Sequence, residues 1–154
     1  MQIDLILYER LAHWYRVLAA HLAEKPIRLV ETRTADEMEQ ALDRSALPLV
    51  LIDLGDHPER ALGVLERAAR HRSEPIILVL VPQADPHLEC VARELGVGDV
   101  LTRDVTPPEL LALLQRWVLV LIRRLEKGGW YPVVKPRSPA DELLDLALNS
   151  SSET

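Results

Sequence analysis

Asp53 closes the apolar run Pro48-Leu-Val-Leu-Ile-Asp-Leu54. Such a run suits a buried parallel strand, which would deliver one carboxylate to the carboxyl edge of a sheet, where open α/β folds hold ligands. An acid in that position accepts a phosphoryl group or ligates a metal only when helpers converge on it, and few helpers are evident. Asp56-His57 and Asp85-Pro86-His87 combine metal-ligating types, but each falls in a loop ahead of an expected helix, where Asp and His cap backbone N–H groups. His13 and His21 fall on the polar side of a helix and are expected to be solvated. Cys90 is the one cysteine; it excludes an intramolecular disulfide and a Cys-rich zinc site, and an inert thiol is expected. No Gly-rich phosphate loop, Ser-His-Asp set or HxxE spacing is present. Gly96-Val-Gly98 precedes a strand instead of opening a helix, so it is not a dinucleotide fingerprint.

The elements that must position Asp53 alternate between strand and helix. Leu5 to Tyr8 is a short apolar run, followed by Leu11, Trp14, Tyr15, Leu18 and Leu22 at helical spacing. Ile27 to Val30 predicts a second strand, and Thr34 with Glu37 predicts a capping box ahead of Met38, Ala41 and Leu42. Leu49 to Leu54 is the third strand. Asp56 or His57 can cap the next helix, with Pro58 in its first turn and an end near Arg72. Pro75-Ile-Ile-Leu-Val-Leu-Val81 is unbroken, β-branched and bounded by Pro82, as a central strand covered on both faces would be. Leu88, Val91, Ala92 and Leu95 mark a fourth helix, and Val100-Leu101 a short fifth strand. Thr106 and Glu109 box a fifth helix that has Pro107 at its first position. Five βα units in succession predict a doubly wound, five-stranded parallel sheet with right-handed crossovers.

The fifth helix carries more apolar surface than a sheet can cover. Leu110, Leu114, Trp117 and Leu121 form one stripe, and Leu111, Val118, Ile122 and Leu125 a second. From Trp117 to Ile122 every face is apolar. The flanking Gln115-Arg116 and Arg123-Arg124 leave a clean run of six residues, far short of the roughly 20 that a membrane span needs. A protein contact is therefore expected, with Trp117, Val118, Leu119, Leu121, Ile122 and Leu125 as interface candidates. Gly128-Gly129 ends the helix, dividing the chain into a domain of residues 1–127 and a tail of residues 128–154. In that tail Trp130 to Pro136 reads as extended and Ser138 to Leu148 as a short amphipathic helix. Trp130, Tyr131 and Leu143-Leu144 are the competing cover for the second stripe.

Composition sets the class. A chain of 154 residues is long enough to bury roughly 70% of its unfolded surface. With 48% apolar and 27% charged residues it is ordinary globular protein and not a disordered chain. The net charge is −6, from 18 basic and 24 acidic residues without a basic block, so nucleic acid is not expected as a direct partner. Met1-Gln2-Ile3-Asp4 leads straight into a strand without the regions of a secretion signal, and a cytoplasmic address is expected.

Over residues 3 to about 125 the chain resembles the receiver domains of bacterial response regulators. The likeness rests on Leu49-Val-Leu-Ile-Asp-Leu54, Pro75-Ile-Ile-Leu-Val-Leu80 and Gly96-Val-Gly-Asp-Val-Leu-Thr-Arg103, and on the spacing of Glu9 to Asp53 and of Leu80 to Arg103. The resemblance implies that Asp53 holds the phospho-acceptor position. Where the family has two acids for magnesium, this chain has Tyr8-Glu9, and only Glu9 is acidic. Leu80-Val81 stands where the family carries a hydroxyl residue. Arg103, followed by Asp104, takes the place of its lysine, and Val100 that of its aromatic switch.

An aspartyl-phosphate needs a divalent cation in a near-octahedral oxygen set and donors around its oxygens. Losing the hydroxyl removes a charge-assisted bond worth about 1.5–3 kcal/mol, comparable with the bias a two-state switch requires. The resemblance therefore implies a degenerate pseudo-receiver: a non-catalytic interaction module of bacterial signal transduction, independent of phosphorylation. Asp53 would be a vestigial acceptor beside Glu9, Leu80 and Arg103. Magnesium would bind weakly or not at all at Asp53 and Glu9, with no other cofactor. The expected partners are another signalling protein and a second copy met through the fifth helix. The alternatives are a single-domain response regulator phosphorylated on Asp53 by a histidine kinase, and a small nucleotide-binding α/β domain using the same edge.

Overall fold

The computed structural model describes residues 2–55 and 58–127. The elements run β1 (Ile3–Tyr8), α1 (His13–Leu22), β2 (Ile27–Thr32), α2 (Ala35–Arg44), β3 (Pro48–Asp53), α3 (Pro58–Ala69), β4 (Ile76–Val81), α4 (Pro86–Glu94), β5 (Asp99–Thr102) and α5 (Pro107–Glu126). All strands are parallel, in the order β2-β1-β3-β4-β5. The doubly wound sheet expected from the strand–helix alternation is present. Residues 56–57 and 128–154 lie outside the described residues, and with them the expected cap at Asp56 or His57 and the tail.

Strand parity divides the core. Leu5, Leu7, Leu49, Leu51, Ile76, Leu78 and Leu80 meet Trp14, Leu18 and Leu22 of α1 and the inner side of α5. The alternate residues Ile6, Tyr8, Val50, Ile52, Ile77, Val79 and Val81 meet α2, α3 and Ala92 of α4. Every residue of β1, β3 and β4 is buried, which is why these strands read as unbroken apolar runs without alternation.

Local signals set the helix starts. Thr106 Oγ1 accepts from Glu109 N while the Glu109 carboxylate reaches back to Thr106 N, a complete capping box behind Pro107. At α2 only half the expected box forms. Thr34 accepts from Glu37 N at 3.0 Å, but the Glu37 carboxylate meets the Thr34 hydroxyl and not its backbone N–H. Asp85 caps α4 by accepting from His87 N and Leu88 N, so the Asp85-Pro86-His87 triplet is a helix start, as expected. β2 and β5 run past their apolar cores, to Thr32 and Thr102, because ladder pairing with β1 and β4 continues beyond the side-chain pattern.

One close approach depends on glycine. A Cβ on Gly98 would lie 3.0 Å from Cη2 and from Cζ2 of Trp117, so the indole packs against bare backbone beside β5. Gly98→Ala is expected to destabilise the fold by about 1–3 kcal/mol through overpacking, read as a lower urea midpoint. An unchanged midpoint would mean that the Trp117 ring yields freely.

Candidate functional site

The carboxyl ends of β1, β3 and β4 converge on Asp53. By parity Asp53 shares the α1/α5 face with Leu49 and Leu51, and its register partner is Leu80. The β1–β3 ladder closes with Tyr8 opposite Ile52, so Glu9 and Asp53 follow side by side. Both acids are buried, at 2% and 6% exposure. Their proximity and their separation from water demand local compensation.

Each acid finds a different partner. Asp53 Oδ1 accepts from Gly55 N at 2.9 Å and lies 3.3 Å from Arg103 Nε. Gly55 adopts φ +64°, a left-handed turn open to glycine at little cost, and this turn brings its N–H back onto the carboxylate. Arg103 reaches across because its own N–H bonds Val81 O at 2.8 Å, fixing it beyond the end of β5. Glu9 turns the other way: Oε2 accepts from Trp14 N at 2.9 Å and Oε1 from Tyr15 N at 3.3 Å. Ala12 occupies the cap position of α1 and makes no side-chain cap bond. Glu9 therefore supplies the missing cap and places its charge at the positive end of the helix.

The carboxyl of Glu9 is nonetheless pushed up from the usual glutamate range. Burial is the main cause; the bonds from Tyr15 and Trp14 oppose it, the Asp53 charge adds to it, and His13 opposes it weakly. Asp99 at the start of β5 is also raised, again chiefly by burial, with the Val100 N–H and Arg93 opposing.

Magnesium calls for a near-octahedral set of oxygens. Here both oxygens of Glu9 are engaged by the start of α1, Tyr8 is turned into the opposite core, Leu80 is fully buried and brings no donor, and a guanidinium stands on Asp53. This donor set does not fit the ion. Among the described residues no group of three or more His, Cys, Asp or Glu is arranged to hold a metal.

The other singled-out residues disperse. His13 and His21 are exposed, His21 Nδ1 lying 2.8 Å from Val17 O. Cys90 is exposed, its Sγ 3.7 Å from Glu94. Of the interface candidates, Trp117 and Leu121 are corrected: they are 0% and 5% exposed and face the sheet. The sheet takes the first stripe entirely; of the remaining candidates Leu119 and Leu125 are 53% and 37% exposed, and Val118 and Ile122 are partly buried against the core.

Folding also assembles a Ser-His-Asp contact that the sequence does not signal. His71 Nε2 is 2.7 Å from Asp43 Oδ1, and Nδ1 is 2.7 Å from Ser73 Oγ. Nδ1 also accepts the Ser73 N–H at 3.1 Å, so the neutral ring carries its proton on Nε2 and donates it to Asp43. The cluster pins the turn after α3 to α2. Its sequence trace is only the short His71-Arg-Ser73 spacing, since Asp43 comes from another helix.

No family model matches the sequence. Solved structures share the architecture. A response regulator from Thermotoga maritima is 16% identical with a TM-score of 0.64, over 80% of this chain and 99% of that one. The chemotaxis protein CheY4 of Vibrio cholerae is 13% identical with a TM-score of 0.66, over 75% and 98%. A response regulator protein from Burkholderia pseudomallei, solved with a phosphorylated aspartic acid, calcium ion and citrate, is 19% identical with a TM-score of 0.61, over 87% and 77%. The chain has the receiver-domain fold.

The buried acid yields a pH prediction. Because Glu9 titrates above its unfolded value of about 4.3, the native state retains a proton that the unfolded chain has released. Stability therefore falls as pH rises from that value through the raised one, and is level above it; Asp99 adds a fall of the same sign. Glu9→Gln keeps one acceptor for α1 but loses the second, a deficit of about 1 kcal/mol. That deficit is expected to shrink as pH rises across the window, in urea titrations of both proteins. Parallel stability curves would show that Glu9 does not titrate there.

Proposed function

We propose that this chain is a receiver-like interaction module of signal transduction whose output does not depend on phosphoryl transfer to Asp53. It acts as a non-catalytic cytoplasmic partner of another signalling protein. The observation that carries this reading is the diversion of Glu9: the acid left at the magnesium position caps α1 with both oxygens. Arg103 already supplies the positive charge next to Asp53, and Leu80 offers no hydroxyl to sense a phosphoryl group. A fixed surface follows, because nothing at the sheet edge would gain new bonds on modification.

One observation favours the alternative of a single-domain response regulator. Asp53 keeps its place at the end of β3, and the Burkholderia pseudomallei protein of the same fold carries a phosphorylated aspartic acid. Incubation with magnesium and acetyl phosphate separates the two. The expected result is no mass gain of one phosphoryl group. A gain that Asp53→Asn abolishes would establish the alternative and overturn phosphorylation independence.

The outward shoulder of α5 is the proposed contact surface. Leu119 and Leu125 are exposed, flanked by Val118 and Ile122, which are only partly buried against the core, and a two-fold homodimer would pair this patch with itself and close the assembly. Leu119→Glu with Ile122→Glu is expected to yield a folded monomer, since neither side chain is fully buried in the single chain, whereas in the dimer each charge would be buried without a partner. Sedimentation of both proteins decides: a monomeric wild-type chain, or a variant that still dimerises, refutes the interface.

A further inference from the structure

The protons of the contact between Ser73, His71 and Asp43 follow from its geometry. His71 Nδ1 takes the backbone N–H of Ser73 at 3.1 Å, so it is an acceptor, and the Ser73 hydroxyl 2.7 Å away must aim its own proton at the same nitrogen. Nε2 then carries the ring proton and donates it to Asp43 Oδ1 at 2.7 Å. A single imidazole thus ties down the turn between α3 and β4 through Nδ1 and ties that turn to α2 through Nε2. The His71 side chain is only 7% exposed, so its polar atoms depend on these partners more than on water. The turn also holds strain. Glu74 sits at φ 49°, in the left-handed region that side chains rarely adopt, with its N–H on His71 O at 3.0 Å.

We propose that His71 is a protonation switch that moves the hold on this turn from the turn itself to α2: neutral, the ring grips Ser73; charged, it releases the Ser73 amide and grips Asp43. An imidazolium carries a proton on both nitrogens, so Nδ1–H would face the Ser73 N–H donor to donor, and that amide must leave. The Ser73 hydroxyl stays by rotating to accept. Nε2 keeps Asp43, now through a charge-assisted bond. Histidine is the side chain that changes charge within about pH 5 to 8. The surrounding charges leave the exchange to these groups. Arg72 lies 3.6 Å from Asp43 but is 82% exposed, so water screens its repulsion of the charged ring. Along the rest of the seam between α2 and α3, Arg67 takes Asp36 and Glu39, and Arg70 takes Glu66; Glu74 is exposed. β3 and β4 carry no charged residue before Asp53, which stands at the opposite edge of the sheet.

The test follows the ¹⁵N-labelled full chain by NMR from about pH 8 to 5, reading the His71 ring nitrogens and the Ser73 amide together. The proposal expects a neutral ring protonated on Nε2 and a Ser73 amide shift whose midpoint coincides with that of the ring. It expects the hydrogen-exchange protection of that amide to be roughly tenfold or more lower in the charged form. In Asp43→Ala the Nε2–H signal is expected to be lost to exchange with water while the Ser73 response remains. In His71→Asn, which offers Ser73 an acceptor but has no proton to gain, the Ser73 response is expected to vanish. A neutral ring protonated on Nδ1, or a Ser73 amide that does not move with the ring, would overturn the proposal in the unaltered chain, whether or not the variants fold. A Ser73 response that survives His71→Asn, or an Nε2–H signal indifferent to Asp43→Ala, would overturn it as well.

Discussion

Three strands of this sheet have no wet face, and that constraint governs what surrounds them. β1, β3 and β4 are buried along their whole length, so a polar group at their ends cannot rely on water and must be met by the protein. Each buried polar side chain answers this differently. Asp4 at the amino edge takes a two-point grip from Arg28, at 2.8 and 3.1 Å, across the β1–β2 ladder. Thr32 donates to Leu7 O at 3.0 Å. Glu9 takes the first N–H groups of α1, and Asp53 takes Gly55 and Arg103. The carboxyl edge is thus a satisfied network built from this chain alone.

That satisfaction has a chemical consequence. A receiving carboxylate is useful when its surroundings are short of charge and become complete on binding a cation and an anion together. Here a guanidinium stands at Asp53 and a helix start at Glu9, so both acids are already met by groups of this chain. Leu80, the register partner of Asp53, packs in the α1/α5 core at 0% exposure and brings no donor to the edge. At this edge Glu9 caps a helix, and Asp53 holds the Gly55 turn and pairs with Arg103.

Much of the fold was legible because it rests on local rules. Unbroken apolar runs gave the buried strands, and Thr106, Pro107 and Glu109 gave the start of α5 to the residue. Where reading fell short, the deciding contacts were distant in sequence. Glu9 was identifiable as the surviving acid, but its service to Trp14 and Tyr15 depends on how α1 swings back over β1. The half-formed box at Thr34 turns on a rotamer of Glu37. Trp117 and Leu121 read as surface because a helix apolar on every face does not reveal which stripe the sheet will claim. Asp43 and His71 meet only because α2 and α3 pack side by side.

Helix α5 ties these regions together. It begins beside the carboxyl edge, just after Arg103, and ends at the amino edge, near the start of β4. Its 20 residues span about 30 Å, and Leu110, Leu113, Leu114, Trp117, Val120 and Leu121 seat it on the sheet. Close packing of that many side chains makes a displacement of the helix costly. Leu119 is therefore carried on a helix seated along its length. The same packing that seats α5 on the sheet leaves Leu119 and Leu125 to solvent, because a sheet can cover only one side of a helix.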